Sequence, residues 1–205
     1  MVEYVLEGNI NCAGSTINWL ANDLALIEHA NQAGVQASTV DDTDGVYLVP
    51  AFVGLRAPYW DSKARASISG MTLGTKKSHI VCAAVESIAY QIKDILDLMV
   101  KESGIELMEL RVDGGLTHNA FLMQFQADIL GIPVAPSSVE ELSATGSVYM
   151  ARLATGFWTS KTEIESLRCS VEPYHCGLDI QKVKQLYKGW KEAITRTVSP
   201  NALSL

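Results

Sequence analysis

Apolar positions along this chain switch between a period of two and a period near 3.6, and the switches mark its elements. Residues 4–7 alternate like a short strand, and 8–12 read as a turn. Over 14–30, Ile17, Leu20, Leu24 and Ile27 fall three, four and three apart, which predicts an amphipathic helix. The polar stretch 31–44 ends in Asp41-Asp42-Thr43-Asp44 before Gly45, a turn composition. Val46, Tyr47, Leu48 and Val49 then predict a buried strand within 45–52, its ladder ended by Pro50. The loop 54–61 carries Tyr59 and Trp60, which either cap the core or form an interface or substrate wall. A further strand is expected over 64–73.

The longest signal covers 78–102, where Ile80, Ala84, Ile88, Ile92, Ile95 and Met99 form one stripe. Ser78 is its expected N-cap and Ser103-Gly104 its end. Glu86 falls off the stripe, where a carboxylate is solvated or pairs with a neighbour. A strand over 107–112 and a helix over 120–130, with Leu122, Phe125 and Ile129 on one face, come next. Then follow a short strand over 132–135 and a helix over 142–154, the latter carrying the small residues Ala144, Gly146 and Ser147. Small residues in a helix leave room for close packing of another helix or a ligand. The stretch 160–177 says little, and 179–198 predicts a last amphipathic helix striped by Val183, Tyr187, Trp190 and Ile194. Alternating strands and helices in the middle of the chain point to a mixed α/β fold.

Candidate chemistry gathers at Asp113-Gly114-Gly115-Leu116-Thr117-His118-Asn119, between the 107–112 strand and the next helix. Glycine lets backbone approach a ligand with no Cβ in the way. The free N–H groups of a helix start then face negative charge. A nucleotide site and a plain strand–turn–helix connection both fit these residues, and the short motif does not separate them. Asn18, in the first turn of the first helix, serves either a ligand or its own backbone.

Composition narrows the classes. The 205 residues suit one large domain or one lobe of something bigger, and 48% hydrophobic with 19% charged residues supports a full core. A net charge of −7, with Lys76-Lys77 as the longest basic run, argues against nucleic acid and against an anionic membrane surface. Neither a signal peptide nor an apolar run of membrane-spanning length is present. Cys12, Cys82, Cys169 and Cys176 form no C-x-x-C pair and read as reduced thiols of a cytoplasmic protein. His175-Cys176 beside Cys169 fits no common zinc spacing. The chain opens as though in mid-fold, so upstream material is expected to be missing.

Several stretches together resemble the glycerol kinases of the FGGY carbohydrate-kinase family. They are Gly45 to Phe52 (GVYLVPAF), Gly54 to Asp61 (GLRAPYWD), Glu86 to Gln91 (ESIAYQ), Asp113-Gly114-Gly115 with Asn119, and Phe121 to Gly131 (FLMQFQADILG). Residues 66–86 also look like the second signature of the wider family, and the resemblance runs from about 3 to 193.

The resemblance implies an actin-like, ribonuclease-H-like ATPase lobe with a mixed sheet flanked by helices. It makes residues 1–205 the C-terminal, nucleotide-binding domain, without the N-terminal substrate lobe and the start of this lobe. It places Gly14, Asn18, Gly114, Gly115 and Asn119 at ATP with Mg²⁺, and it puts no catalytic residue and no metal ligand in this chain. The intact enzyme would phosphorylate a polyol or sugar, glycerol foremost or another such as xylulose, and the chain alone is expected to be inactive. A non-catalytic nucleotide-binding or interaction module is the rival. Self-association through the Tyr59-Trp60 loop is a third reading, and homo-oligomers follow only by family analogy. Departures from the family pattern bear on glycerol more than on the family. Asn18 stands where Gln is usual, Ala120 replaces a second Asn, Arg56 replaces a small residue, and Thr145 and Ser147 alter the Ala-rich helix.

Overall fold

The computed structural model describes residues 5–138, 142–166 and 171–199. In chain order its elements are α1 (Gly14–Asn22), a 3-10 turn (Ala30–Gln32), α2 (Ala33–Ala37), β1 (Tyr47–Val49) and β2 (Ser67–Ser69). There follow α3 (Lys77–Ser103), β3 (Leu110–Val112), a 3-10 turn (Gly115–His118), α4 (Ala120–Leu130), β4 (Val134–Pro136), α5 (Leu142–Ala154), α6 (Lys161–Ser166) and α7 (Ile180–Thr197). The mixed α/β character holds. Its strands form two ladders among the described residues: β1 and β2 are antiparallel, with Leu48 opposite Ile68, and β3 and β4 are parallel, with Arg111 opposite Ala135. On its other side β4 bridges to Tyr174 at Val134.

The fold is built around α3, which packs against α2, α4 and β1. Every residue from Val81 to Tyr90 is buried, while the expected stripe residues Ile80 and Ile92 are only partly so. A helix enclosed on several sides buries its whole circumference rather than one stripe. Glu86 is therefore buried, at 5% exposure, and is not solvated. Its carboxylate accepts from Tyr90 Oη at 3.2 Å and from the Cys82 thiol at 3.7 Å. The helix also starts earlier than expected: Lys76 is its N-cap, and Ser78 lies inside it, bonded to Gln36.

The predicted helix over 14–30 is cut short at Asn22. Ala25 takes a positive φ of 52°, and the Leu26 N–H turns back to Leu20 O at 2.9 Å. Leu24 is left 41% exposed, while Ile27 returns to the core through the bend. The polar stretch 31–44 holds more structure than its composition suggests: α2 buries Ala33 and Ala37. Residues 5–7 form no strand and are exposed. Tyr4, the first residue of that expected strand, lies outside the described residues, as does Cys169.

α7 closes the other side of the core. Trp190 stacks on Tyr90 at 5.2 Å, and Phe125 meets Tyr90 edge-on at 5.4 Å. A Cβ at Gly189 would overlap the Tyr47 ring, so glycine lets α7 approach β1 closely. Beneath α7, buried Asp94 accepts from Tyr59 Oη at 2.7 Å, Tyr187 Oη at 2.6 Å and Trp190 Nε1 at 2.8 Å, and pairs with Lys191. The two readings of the aromatic loop are divided between its residues. Tyr59 joins this network, and Trp60 stands 74% exposed.

Candidate functional site

The five candidate residues fall into two groups. Gly114, Gly115 and Asn119 share the turn at the carboxyl end of β3. Gly114 has φ 87° and ψ 175°, a backbone region open essentially to glycine alone. It lets the chain leave β3 and coil at once into the 3-10 turn, where the Thr117 N–H donates to Gly114 O at 3.0 Å. The connection therefore does not run directly into α4. The turn comes between, and Asn119 caps α4 by accepting from the Leu122 N–H at 3.0 Å. Its Nδ2 has no hydrogen-bond partner among the described residues. A Cβ at Gly115 would meet nothing within 4 Å, so the turn faces open space there.

Gly14 and Asn18 form the second group, one helical turn apart on α1. Gly14 is the first helical residue. Ala13 before it offers no side-chain cap, and a Cβ at Gly14 would also meet nothing within 4 Å. An uncapped helix start with open space before it suits an anion. Asn18 is exposed.

No hydrogen bond joins the two groups among the described residues; packing relates them. α1 lies against the 3-10 turn Ala30–Gln32, which runs into α2, and α2 packs on α4. There Gly34 meets the Asn119 side chain. Sequence reasoning missed Gly34, because a glycine in a polar stretch carries no signal of what lies across from it. It also missed an open cleft of about 700 Å³ beside the glycine turn, lined in part by Thr117, His118, Pro136, Ser137 and Tyr174. The cleft sits past the carboxyl ends of β3 and β4, where parallel strands commonly hold their ligands.

The electrostatics lie elsewhere. Burial pushes the Glu86 carboxyl up to about 8, and burial with the Glu86 charge raises the Cys82 thiol and the Tyr90 phenol further above their usual ranges. Burial, then Asp94, raises the phenols of Tyr59 and Tyr187. Both carboxylates are enclosed in packed side chains and serve the core. Among the described residues no three His, Cys, Asp or Glu side chains converge to hold a metal ion, and no helix is long and apolar enough to cross a membrane.

Comparison with known proteins gives the family of the chain. The FGGY family of carbohydrate kinases, C-terminal domain, matches residues 2–155. The chain is 51% identical over 197 residues to the glycerol kinase of a Thermoanaerobacter species, covering 96% of this chain and 40% of that protein. The glycerol kinase of a Shewanella species is likewise 51% identical over 198 residues. A crystal structure of Plasmodium falciparum glycerol kinase with ADP superposes with a TM-score of 0.84 at 39% identity, over 91% of this chain and 37% of that one. A xylulose kinase from Lactobacillus acidophilus shares the fold, with a TM-score of 0.76 at 22% identity. The chain thus spans about two-fifths of the length of the curated relatives it matches. It belongs to the FGGY family of carbohydrate kinases and carries the family's C-terminal domain, of the glycerol-kinase type, with the actin-like fold.

Proposed function

We propose that this lobe binds Mg²⁺-ATP between the start of α1 and the Gly114–Asn119 turn, as the nucleotide half of a glycerol-type kinase. The observation that carries the reading is the open space at Gly14 and Gly115, beside an uncapped helix start and a backbone that only glycine supports. Gly115 lets the nucleotide lie against the turn, Gly14 exposes the first N–H groups of α1 to it, and Asn18 and Asn119 offer amides. The Plasmodium relative was crystallised with ADP, which fits a nucleotide at this lobe.

In the whole enzyme the γ-phosphoryl group would pass in line from ATP to a polyol hydroxyl, glycerol first. Transfers of this kind depend mostly on positioning and charge neutralisation. Mg²⁺ would arrive on the triphosphate, since the described residues build no carboxylate cage for it. The residues of this chain hold and orient the nucleotide. In such an enzyme the base that takes the hydroxyl proton and the polyol pocket would lie outside the stretch that these residues match. The buried free thiols Cys12 and Cys82 suit a cytoplasmic setting.

Calorimetric titration with Mg²⁺-ATP tests the reading, with Gly115→Val as the paired variant. The valine side chain has room in the free lobe, so the fold should stand while binding falls at least tenfold. Equal affinity in the two proteins places the nucleotide elsewhere.

A further inference from the structure

Gly34 is the second residue of α2, a helix of five residues, although glycine is the poorest helix former after proline. A reason lies across the interface with α4. A Cβ at position 34 would overlap Asn119 Oδ1 and sit 2.8 Å from Asn119 Cγ and 3.2 Å from Nδ2. These nearest atoms all belong to one side chain, with no α4 backbone among them. A side chain at 34 would therefore leave the helices where they are and displace one amide. That amide performs the only side-chain cap of α4 among the described residues, with Oδ1 on the Leu122 N–H at 3.0 Å.

We infer that Gly34 is a positioning residue that seats the Asn119 amide, so that one rotamer both caps α4 and presents Nδ2 to the nucleotide. The capping half stands on the structure alone, and the nucleotide half rests on the function proposed above. With a β-carbon at 34, Asn119 must turn about χ1. Oδ1 then leaves the Leu122 N–H, and Nδ2 moves with it. The lobe would fold, but its amide would be aimed elsewhere.

The test uses the whole chain with G34A, N119A, N119S and the doubles G34A/N119A and G34A/N119S. Two readouts are taken: amide hydrogen exchange at Leu122 without nucleotide, and the Kd for Mg²⁺-ATP. G34A is expected to speed Leu122 exchange about fivefold and to weaken ATP about fivefold, the scale of one capping or ligand hydrogen bond. It should add nothing in the N119A background. The shorter serine of N119S can cap while clearing a β-carbon at 34, so G34A/N119S should protect Leu122 as well as N119S does. If G34A alone fails to fold, the same double should recover the fold. Unchanged Leu122 protection in G34A, full additivity with N119A, or no recovery by N119S each overturns the inference. Should the unmodified chain bind no ATP, the functional reading falls, and Leu122 exchange still decides the role of Gly34.

Discussion

A carboxyl group at position 86, enclosed by Tyr90, Cys82 and the turns of α3, keeps its proton into the neutral range because burial disfavours its charge. Its folded pKa of about 8 lies above the ordinary 4.5. Between these values the folded chain binds a proton that the unfolded chain has released. Stability should therefore fall as pH rises from about 4.5 to about 8 and then level off, with a slope from this group of up to about 1.4 kcal/mol per pH unit. Urea unfolding across that window checks this, and Glu86→Gln should flatten the slope. An unchanged slope in the glutamine variant would assign the pH dependence to other groups. The two adjacent glycines separate in a similar way. Gly114→Ala should cost about 1–3 kcal/mol of stability, because its φ of 87° with extended ψ strains any Cβ. Gly115→Val should cost little in the free lobe and act on the ligand instead. Thermal melts with and without ATP distinguish the two.

At the scale of elements, α3 is the scaffold and Asp94 is its tie to α7 and the Tyr59 loop. The carboxylate is 3% exposed and gathers Tyr59, Tyr187, Trp190 and Lys191 from two other parts of the chain. Asp94→Ala would take the acceptor from four buried or part-buried donors, of which Tyr187 keeps Asp97 at 3.1 Å, and about 2–4 kcal/mol of stability should be lost. Denaturant unfolding measures it, and a loss under about 0.5 kcal/mol, the range of an ordinary surface change, would show that the network contributes little. At α4 the smaller term is the cap: Asn119→Ala should cost about 1 kcal/mol.

For the whole molecule, the prediction concerns what one lobe can do. On the function proposed above, the Gly114–Asn119 turn and the start of α1 face the nucleotide, and the groups that would bind or deprotonate a polyol are expected outside these residues. A coupled assay should detect no glycerol-dependent ADP formation from this chain alone, even with ATP bound. Clear turnover would place a base and a polyol pocket within these residues. The parallel pair β3–β4 forms a small ladder of its own among the described residues. The outer edge of β3 has no partner strand among the described residues, and Ile105 and Met108 just before it are 68% and 80% exposed. Purely parallel sheets are seldom this small, because both faces and edges need cover.

Taken alone, the sequence determined the long helix α3, the final helix α7, the strand leading into the glycine turn, and the family through several motifs in order. These features are local: a period, a cap or a run of residue types writes each into neighbouring positions. What lies across an interface was decided only by the tertiary structure. Helical periodicity continued through 23–30, yet the Leu26 N–H found Leu20 O and the helix ended. Glu86 read from the stripe as either solvated or paired with a neighbour, and the packing of α2, α4 and β1 around α3 decided for the pairing, with Tyr90 and Cys82. Gly34 was an ordinary glycine in a polar stretch until α4 placed Asn119 against it. Local propensity follows from residues within a turn or two of one another, whereas burial and close approach depend on partners far along the chain, so only the folded molecule shows them.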